Sequence, residues 1–336
     1  MATLGEPEEK NASGTPIPDY SPEARRQSAR TRGLDPALPG AGTAHGVSRS
    51  VQVFRRTLSG TWNDGFVHAG NLAYITLFAV FPFFIFGAAV FSALGESGDR
   101  AVAIDAVLRA LPPSVSRVIG PAAREVIEAR SGWLLWAGAL FALWTVGSLV
   151  ETIRDILRRA YGTHPTRSFW FHRLASAGII VGAVLLLVLG LLAQVLIGAA
   201  QEVISAWFPE FNDAVSSLRL SRIVPGAAIY MSIFLLFLSL TPAAYREKRY
   251  PKWPGALLVT VWWIAVTVAF PPLLRTMFSY DLTYGSLAGI MITLFFFWLI
   301  GLGTVAGAEL NAALASTPEE EDAESTAVKS EEEAAL

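Results

Sequence analysis

Leu282–Ala308 reads LTYGSLAGIMITLFFFWLIGLGTVAGA and contains no charged side chain. A helix of about 20 apolar residues crosses the roughly 30 Å hydrocarbon layer of a bilayer, and this run exceeds that length. Working outward from it, five further uncharged runs appear: Leu72–Leu94, Gly132–Val150, Leu174–Ala200, Ile223–Ala244 and Pro254–Leu274. In hydrocarbon every backbone N–H and C=O must be satisfied within the segment or its neighbours, so spans of this kind are helices. The sequence therefore predicts an all-α, polytopic integral membrane protein built on a bundle of six transmembrane helices.

Composition agrees. Charged residues make up 16% of the 336 residues, against about 25% in soluble domains, and the mean hydropathy is +0.45. There is no cysteine, which excludes disulfides, thiolate metal sites, iron–sulfur ligation and cysteine nucleophiles.

The charges divide the chain into three parts. Residues 1–50 combine Gly, Pro, Ser and Ala with both signs of charge, and read as a disordered cytoplasmic arm. Arg25, Arg26, Arg30 and Arg32 lie in it. Residues 51–315 form the six-helix membrane domain. Residues 316–336 carry Glu319, Glu320, Glu321, Asp322, Glu324 and Glu331–Glu333. Blocks of like charge repel, so this segment reads as an acidic disordered cytoplasmic tail.

Orientation follows from the basic residues near the membrane ends. Arg49, Arg55 and Arg56 precede the first span. Arg154, Arg158, Arg159, Arg167 and Arg173 follow the second, and Arg246, Lys248, Arg249 and Lys252 follow the fourth. With six spans these segments share one face, which places both termini in the cytoplasm. The long outer loop, Gly95–Ser131, predicts two amphipathic helical pieces around Pro112-Pro113, which either lie on the interface or cap the bundle.

Small residues at Gly178/Gly182 and Gly303/Gly307 have the spacing that lets membrane helices approach closely. Pro82 and Pro271-Pro272 interrupt the first and fifth spans. Proline removes a helix hydrogen bond, and such breaks mark substrate sites in some transporters and simple kinks elsewhere.

The costly polar residues gather at the inner ends. Glu151, Arg154, Asp155 and Arg158 share one face of the second helix, at spacings of three and four. Glu309 stands near the C-terminus of the sixth helix, where the macrodipole disfavours a carboxylate, and a carboxylate close to hydrocarbon calls for a partner. Arg154 and Arg158 are the cations on the correct side. Asn71 and Asn311 complete a candidate polar pocket, to be read either as a packing lock or as a substrate contact open to the cytoplasm.

These residues also carry a resemblance. Asn71-Leu-Ala-Tyr-Ile-Thr-Leu-Phe-Ala-Val-Phe-Pro82 resembles the first-helix motif of the YihY/BrkB family. So do the run from Leu143-Trp144 through Arg154 to Arg159-Ala160-Tyr161-Gly162, and Trp253-Pro254-Gly255-Ala256. Tyr284-Gly285-Ser286-Leu287 and Gly307-Ala308-Glu309-Leu310-Asn311-Ala312 resemble its last helix. The matches run in order over roughly residues 50–315. Ile75 and Phe296-Phe297-Trp298 depart from the family's usual residues. The resemblance implies a six-helix inner-membrane protein without an established activity, for which transport of lipids or envelope components is the usual suggestion. A ribonuclease BN label is attached to some members.

The residue types argue against an enzyme. A metal-dependent nuclease needs His and carboxylate ligands around an activated water. The four histidines, His45, His68, His164 and His172, form no paired set on one helix. There is no nucleophile elbow and no phosphate loop. The expectation is a transporter or a protein handling lipid or envelope components, with no cofactor, no catalytic or metal residues, and no nucleic-acid partner. The alternative is a non-translocating, envelope-organising or partner-binding scaffold. The partners expected are the bilayer and a lipid or envelope component, and a homo-oligomer stays open.

Overall fold

The computed structural model describes residues 19–34, 49–63, 65–93, 108, 112–128, 133–164, 174, 178, 182, 220–277, 287–320 and 322. Among these there is no strand. The helices are α1 (Pro22–Leu34), α2 (Arg49–Asn63), α3 (Gly65–Ala93), α4 (Pro113–Glu128), α5 (Trp133–Tyr161), α6 (Leu220–Leu240), α7 (Trp253–Met277) and α8 (Ala288–Leu314), with a 3₁₀ turn at Ala243–Tyr245.

Four of them contain stretches long and apolar enough to cross a membrane: Gly65–Phe86, Trp136–Tyr161, Trp253–Leu274 and Ala288–Leu314. In α6 the apolar stretch Ile229–Leu240 is shorter. The expected span Leu174–Ala200 lies outside the described residues apart from Leu174, Gly178 and Gly182, so the architecture stands as all-helical with four candidate spans.

The exposed surfaces of these helices are those of a body solvated by lipid. On α5, Trp133, Trp136, Leu140 and Trp144 form an exposed stripe, and on α7 Leu257, Val261, Ile264 and Val268 do the same. Water would penalise apolar faces of this extent.

The run that decided the fold is also the centre of the packing. α8 touches α2, α3, α4, α5 and α7. Glycines allow the closest approaches. A Cβ on Gly301 would come within 3.0 Å of the Ala69 carbonyl oxygen, one on Gly303 would collide with the Trp262 indole, and one on Gly307 would meet Val259 and the Gly255 carbonyl. The Gly303/Gly307 spacing is therefore a true close-packing face. For Gly178 and Gly182 an added Cβ meets nothing within 4 Å among the described residues.

Two indoles tie helices together. Trp262 Nε1 donates to the Leu299 carbonyl at 2.7 Å, and Trp298 Nε1 to the Phe66 carbonyl at 3.3 Å. Of the outer loop, α4 packs on α8 and α3. It buries Val115, Ile119 and Ala123, one residue per turn, and its Val118 fills the space over Gly289. It caps the bundle at the start of α8.

The arm and tail need correcting where they are described. Pro22–Leu34 is a helix, and Ser316–Glu320 packs beside it. Ser21 supplies the N-cap, its Oγ accepting from the Ala24 N–H at 3.3 Å, and Pro22 takes the first helical position, where its missing N–H costs nothing. α1 has little apolar surface to bury. Ion pairs and hydrogen bonds to the bundle hold it, and composition does not reveal these.

Candidate functional site

The polar residues converge at the end of the bundle where α8 finishes and α7 begins. Asn311 is 1% exposed. Its Oδ1 accepts from the Gly255 N–H at 2.8 Å, and its Nδ2 donates to the Lys252 carbonyl at 3.1 Å. A helix leaves its first N–H groups without intrahelical partners. Gly255 carries one of these for α7, so one buried amide caps one helix from the last turn of another. Gly255 must be glycine, because the Gly307 carbonyl and the Asn311 amide occupy the position of a Cβ.

Glu309 turns to a different neighbour. Its carboxylate lies against Gly60 of α2, where an added Cβ would collide with it. It is also within electrostatic range of Tyr161, the fully buried last residue of α5. Tyr161 begins a chain of rings, with centroids 5.0 Å from Tyr161 to Tyr245 and 5.2 Å from Tyr245 to Tyr250. Arg249 lies over Tyr250 at 5.3 Å. Thr241, also buried, donates to the Phe237 carbonyl at 2.6 Å and closes α6 beside this chain.

Arg154, Glu151, Asp155 and Arg158 occupy the last turns of α5. Arg154 is buried and pairs with Glu151 on its own helix. Asp155 is exposed and pairs with Arg159 at 3.1 Å. The Arg158 carbonyl accepts from the Thr163 N–H at 2.9 Å, and Gly162, with φ of 68°, turns the chain out of the helix. That left-handed geometry favours glycine. Asn71 is exposed on α3. Thus Glu309 and Asn311 share the end of α8 on different faces, one against α2 and the other against α7.

The sequence reading missed the cation that caps α8. Arg25 of α1 donates through Nη2 to the Ala312 and Ala315 carbonyls at 3.0 and 2.8 Å, and through Nη1 to Glu320 at 2.6 Å. The last carbonyls of a helix lack partners and carry the negative end of the macrodipole, so a buried guanidinium fits there. Burial works against the charge of Arg25, and Glu320 offsets it.

Arg26 and Arg30 both reach Glu319 at 2.8 Å. Arg30 first, then the backbone and Arg26, holds that carboxyl down from 4.5 to about 2. Tyr245 donates to Glu23 at 2.9 Å, and its hydroxyl is pushed up by burial and then by Glu23. Lys252, also missed, is buried and donates to the Arg246 and Glu247 carbonyls at 2.9 and 2.5 Å. Burial, then Arg246, lowers its pKa. A signal for α1 was present in Ser21-Pro22-Glu23, an N-cap followed by proline, and in arginines facing an acidic tail of opposite sign.

Further along α7, Trp263 and Thr267 stand one turn apart in the middle of a span. The indole Nε1 and the hydroxyl are buried without a hydrogen-bond partner among the described residues. Pro271 and Pro272 continue the helix but have no N–H to donate back to the Thr267 and Val268 carbonyls. Among the described residues no group of three or more His, Asp or Glu side chains converges to hold a metal ion.

The comparisons with known proteins agree with this architecture. The ribonuclease-like protein YfkH of Bacillus subtilis is 28% identical over 265 residues, covering 76% of this chain and 91% of that protein. A UPF0761 membrane protein of Rhodospirillum centenum is 28% identical over 306 residues, covering 85% of this chain and 62% of that protein. One from Alkalilimnicola ehrlichii is 25% identical over 255 residues, 74% of this chain and 55% of that protein. The chain thus spans less than two thirds of these two longer relatives. No solved structure matches it. The family model described as virulence factor BrkB matches residues 57–331, which takes in every candidate span and the polar residues of α5, α7 and α8 but not α1, and the chain belongs to the BrkB family of membrane proteins.

Proposed function

We propose that this chain is a non-enzymatic membrane protein of the cytoplasmic membrane that binds and passes a lipid or other amphiphilic envelope component, with both termini on the cytoplasmic side. The observation that carries the reading is a set of polar groups in the middle of α7 that have no partner among the described residues. Trp263 offers an indole N–H, Thr267 a hydroxyl, and Pro271 leaves the Thr267 carbonyl without its usual donor. Unpaired polar groups at this depth are costly, and a neutral donor–acceptor such as a hydroxyl or ester group of a lipid satisfies them. No charged side chain of α7 lies between Trp253 and Leu274, which favours a neutral group over an ion.

The test is the lipid that accompanies the purified protein. The protein should carry a lipid fraction enriched over the membrane it came from. The double variant Trp263→Phe, Thr267→Val should lose that enrichment without melting lower, since replacing unpaired polar groups by apolar ones of similar shape is neutral or stabilising. Identical lipid composition in protein, variant and bulk membrane would remove the proposal.

A second reading, a scaffold without translocation, is favoured by the packing of α3, α5 and α8. Their buried side chains, among them Ala73, Ala142, Val146 and Phe296, belong to one apolar cluster. Absence of lipid enrichment would leave this reading standing. Neither includes a catalytic step, so the ribonuclease-like name of YfkH stays with that protein.

A further inference from the structure

α2 precedes the first span and exposes Val51, Phe54, Leu58 and Trp62, each between 53% and 68% exposed. Their spacing of three, four and four places them on one face of the helix. The rest of α2 is already engaged. Gly60 holds Glu309, and α2 packs along α8. The bundle therefore fixes the direction in which the apolar stripe points, and no other described element covers it.

Two observations identify its occupant. The stripe is continuous with a lipid-facing surface: Trp62 meets Phe66 edge to face at 5.4 Å, and the exposed Phe66 and Val67 open the first candidate span. Its depth is that of the polar end. Glu309 faces Gly60, and two residues on Asn311 holds Gly255, beside the exposed Trp253 that begins another span. Arg55, next to the stripe, is exposed.

We propose that α2 lies in the headgroup–acyl boundary of the leaflet on the side of the polar end, with Val51, Phe54, Leu58 and Trp62 immersed and Arg55 on the phosphate of an anionic phospholipid. An amphipathic helix binds such a boundary by apolar burial plus attraction to anionic headgroups. A second protein would have to displace lipid already contacting the adjoining surface of α3. This placement needs only a membrane-embedded bundle and is independent of the lipid-handling reading.

The chain has no cysteine, so each introduced cysteine is unique. Phe54→Cys and Leu58→Cys, labelled with an environment-sensitive fluorophore, are placed in nanodiscs of phosphatidylcholine with phosphatidylglycerol. Arg30→Cys, on α1, is the control. Both stripe positions should be quenched by lipids carrying a doxyl group near the headgroup and protected from aqueous iodide, with the reverse at position 30. Labelled Leu58→Cys should be quenched more by doxyl-phosphatidylglycerol than by doxyl-phosphatidylcholine. Adding Arg55→Gln should cut that preference about fivefold, the value of one basic residue at an anionic surface.

Iodide quenching at positions 54 and 58 equal to that at position 30 overturns the placement. Disulfide-linked dimers of Phe54→Cys with two chains per disc would show that a second copy covers the stripe, and also overturn it. An unchanged lipid preference in Arg55→Gln overturns the anionic assignment. If one labelled variant fails to assemble, the other carries the same test.

Discussion

Asn311→Ala gives the sharpest test of how the polar end is held. The Asn311 amide satisfies the Gly255 N–H at 2.8 Å and the Lys252 carbonyl at 3.1 Å. Both contacts are buried, so water does not replace the amide when it is removed. Leaving a buried donor or acceptor unsatisfied costs about 1–3 kcal/mol each, so the variant should lose about 2–6 kcal/mol. At about 2 °C per kcal/mol for a chain of this length, the melting temperature in detergent should fall by about 4–12 °C. Asn311→Asp keeps the acceptor for Gly255 but sets a carboxylate oxygen against the Lys252 carbonyl, and should fall at least as far. Gly255→Ala clashes with the same amide, so combining it with Asn311→Ala should cost less than the sum, as contacting sites do. A melting temperature for Asn311→Ala within about 1 °C of the parent, or full additivity with Gly255→Ala, would refute the cap.

Arg25→Gln should free α1 from the end of α8, because one guanidinium serves Ala312, Ala315 and Glu320. Trypsin should then cut at Arg26 or Arg30 at least about tenfold faster, on the basis of charged hydrogen bonds at about 1.5–3 kcal/mol each. The contacts of Glu319 should depend on pH. Its folded pKa of about 2 lies below the ordinary 4.5, so the unfolded state binds the proton more readily. The stabilisation is complete above 4.5 and disappears as pH falls through about 2. Spin labels at the exposed position 27 of α1 and at position 322 should report a constant distance from pH 7 to 5 and a widening one toward pH 2. Purified protein with added divalent metal should leave transfer RNA intact; cleavage that vanished with His164→Ala would contradict a non-enzymatic reading. Cysteines placed at positions 10 and 330 should both resist impermeant thiol reagents in intact cells, and labelling at either would reverse the proposed orientation.

Much of the bundle was legible because hydrocarbon imposes one demand along the whole of a span. The described parts of the uncharged runs Leu72–Leu94, Gly132–Val150, Pro254–Leu274 and Leu282–Ala308 fall, apart from Leu287 at the edge of α8, within α3, α5, α7 and α8. The boundaries shifted at the polar end. α5 runs on to Tyr161 past Arg154 and Arg158, since helical hydrogen bonding does not stop where hydrophobicity does. α1 was illegible from composition, because nearly all of its attachment is long-range: Arg25 to Ala312, Arg30 to Glu319, Tyr245 to Glu23. The two glycine pairs show the limit of a local motif. Gly303/Gly307 meets Trp262 and Val259, while around Gly178/Gly182 nothing lies within 4 Å among the described residues, and spacing alone does not say which helix face is the partner.

The separation of Glu309 from Asn311 explains why the end of α8 is polar at all. A helix that touches five neighbours must offer each a different surface. Apolar contact alone does not fix how far one membrane helix slides along another, because lipid solvates apolar faces as well as protein does. Directional groups do fix it. Asn311 sets the height of α7, Arg25 ties α1 to the last carbonyls, and Glu309 sits under the one residue of α2 without a side chain. Each contact lies at or beyond the edge of the apolar run, where a polar group costs least to keep. In the middle of α8 the Thr293 and Thr304 hydroxyls bond their own helix, and the directional contacts to neighbours are two indole bonds, Trp298 to the Phe66 carbonyl and Trp262 to the Leu299 carbonyl. On that argument the polar end and these two indoles together set the register of the bundle, whereas Trp263 and Thr267 fix no described neighbour, which is why the proposed lipid site is placed on them.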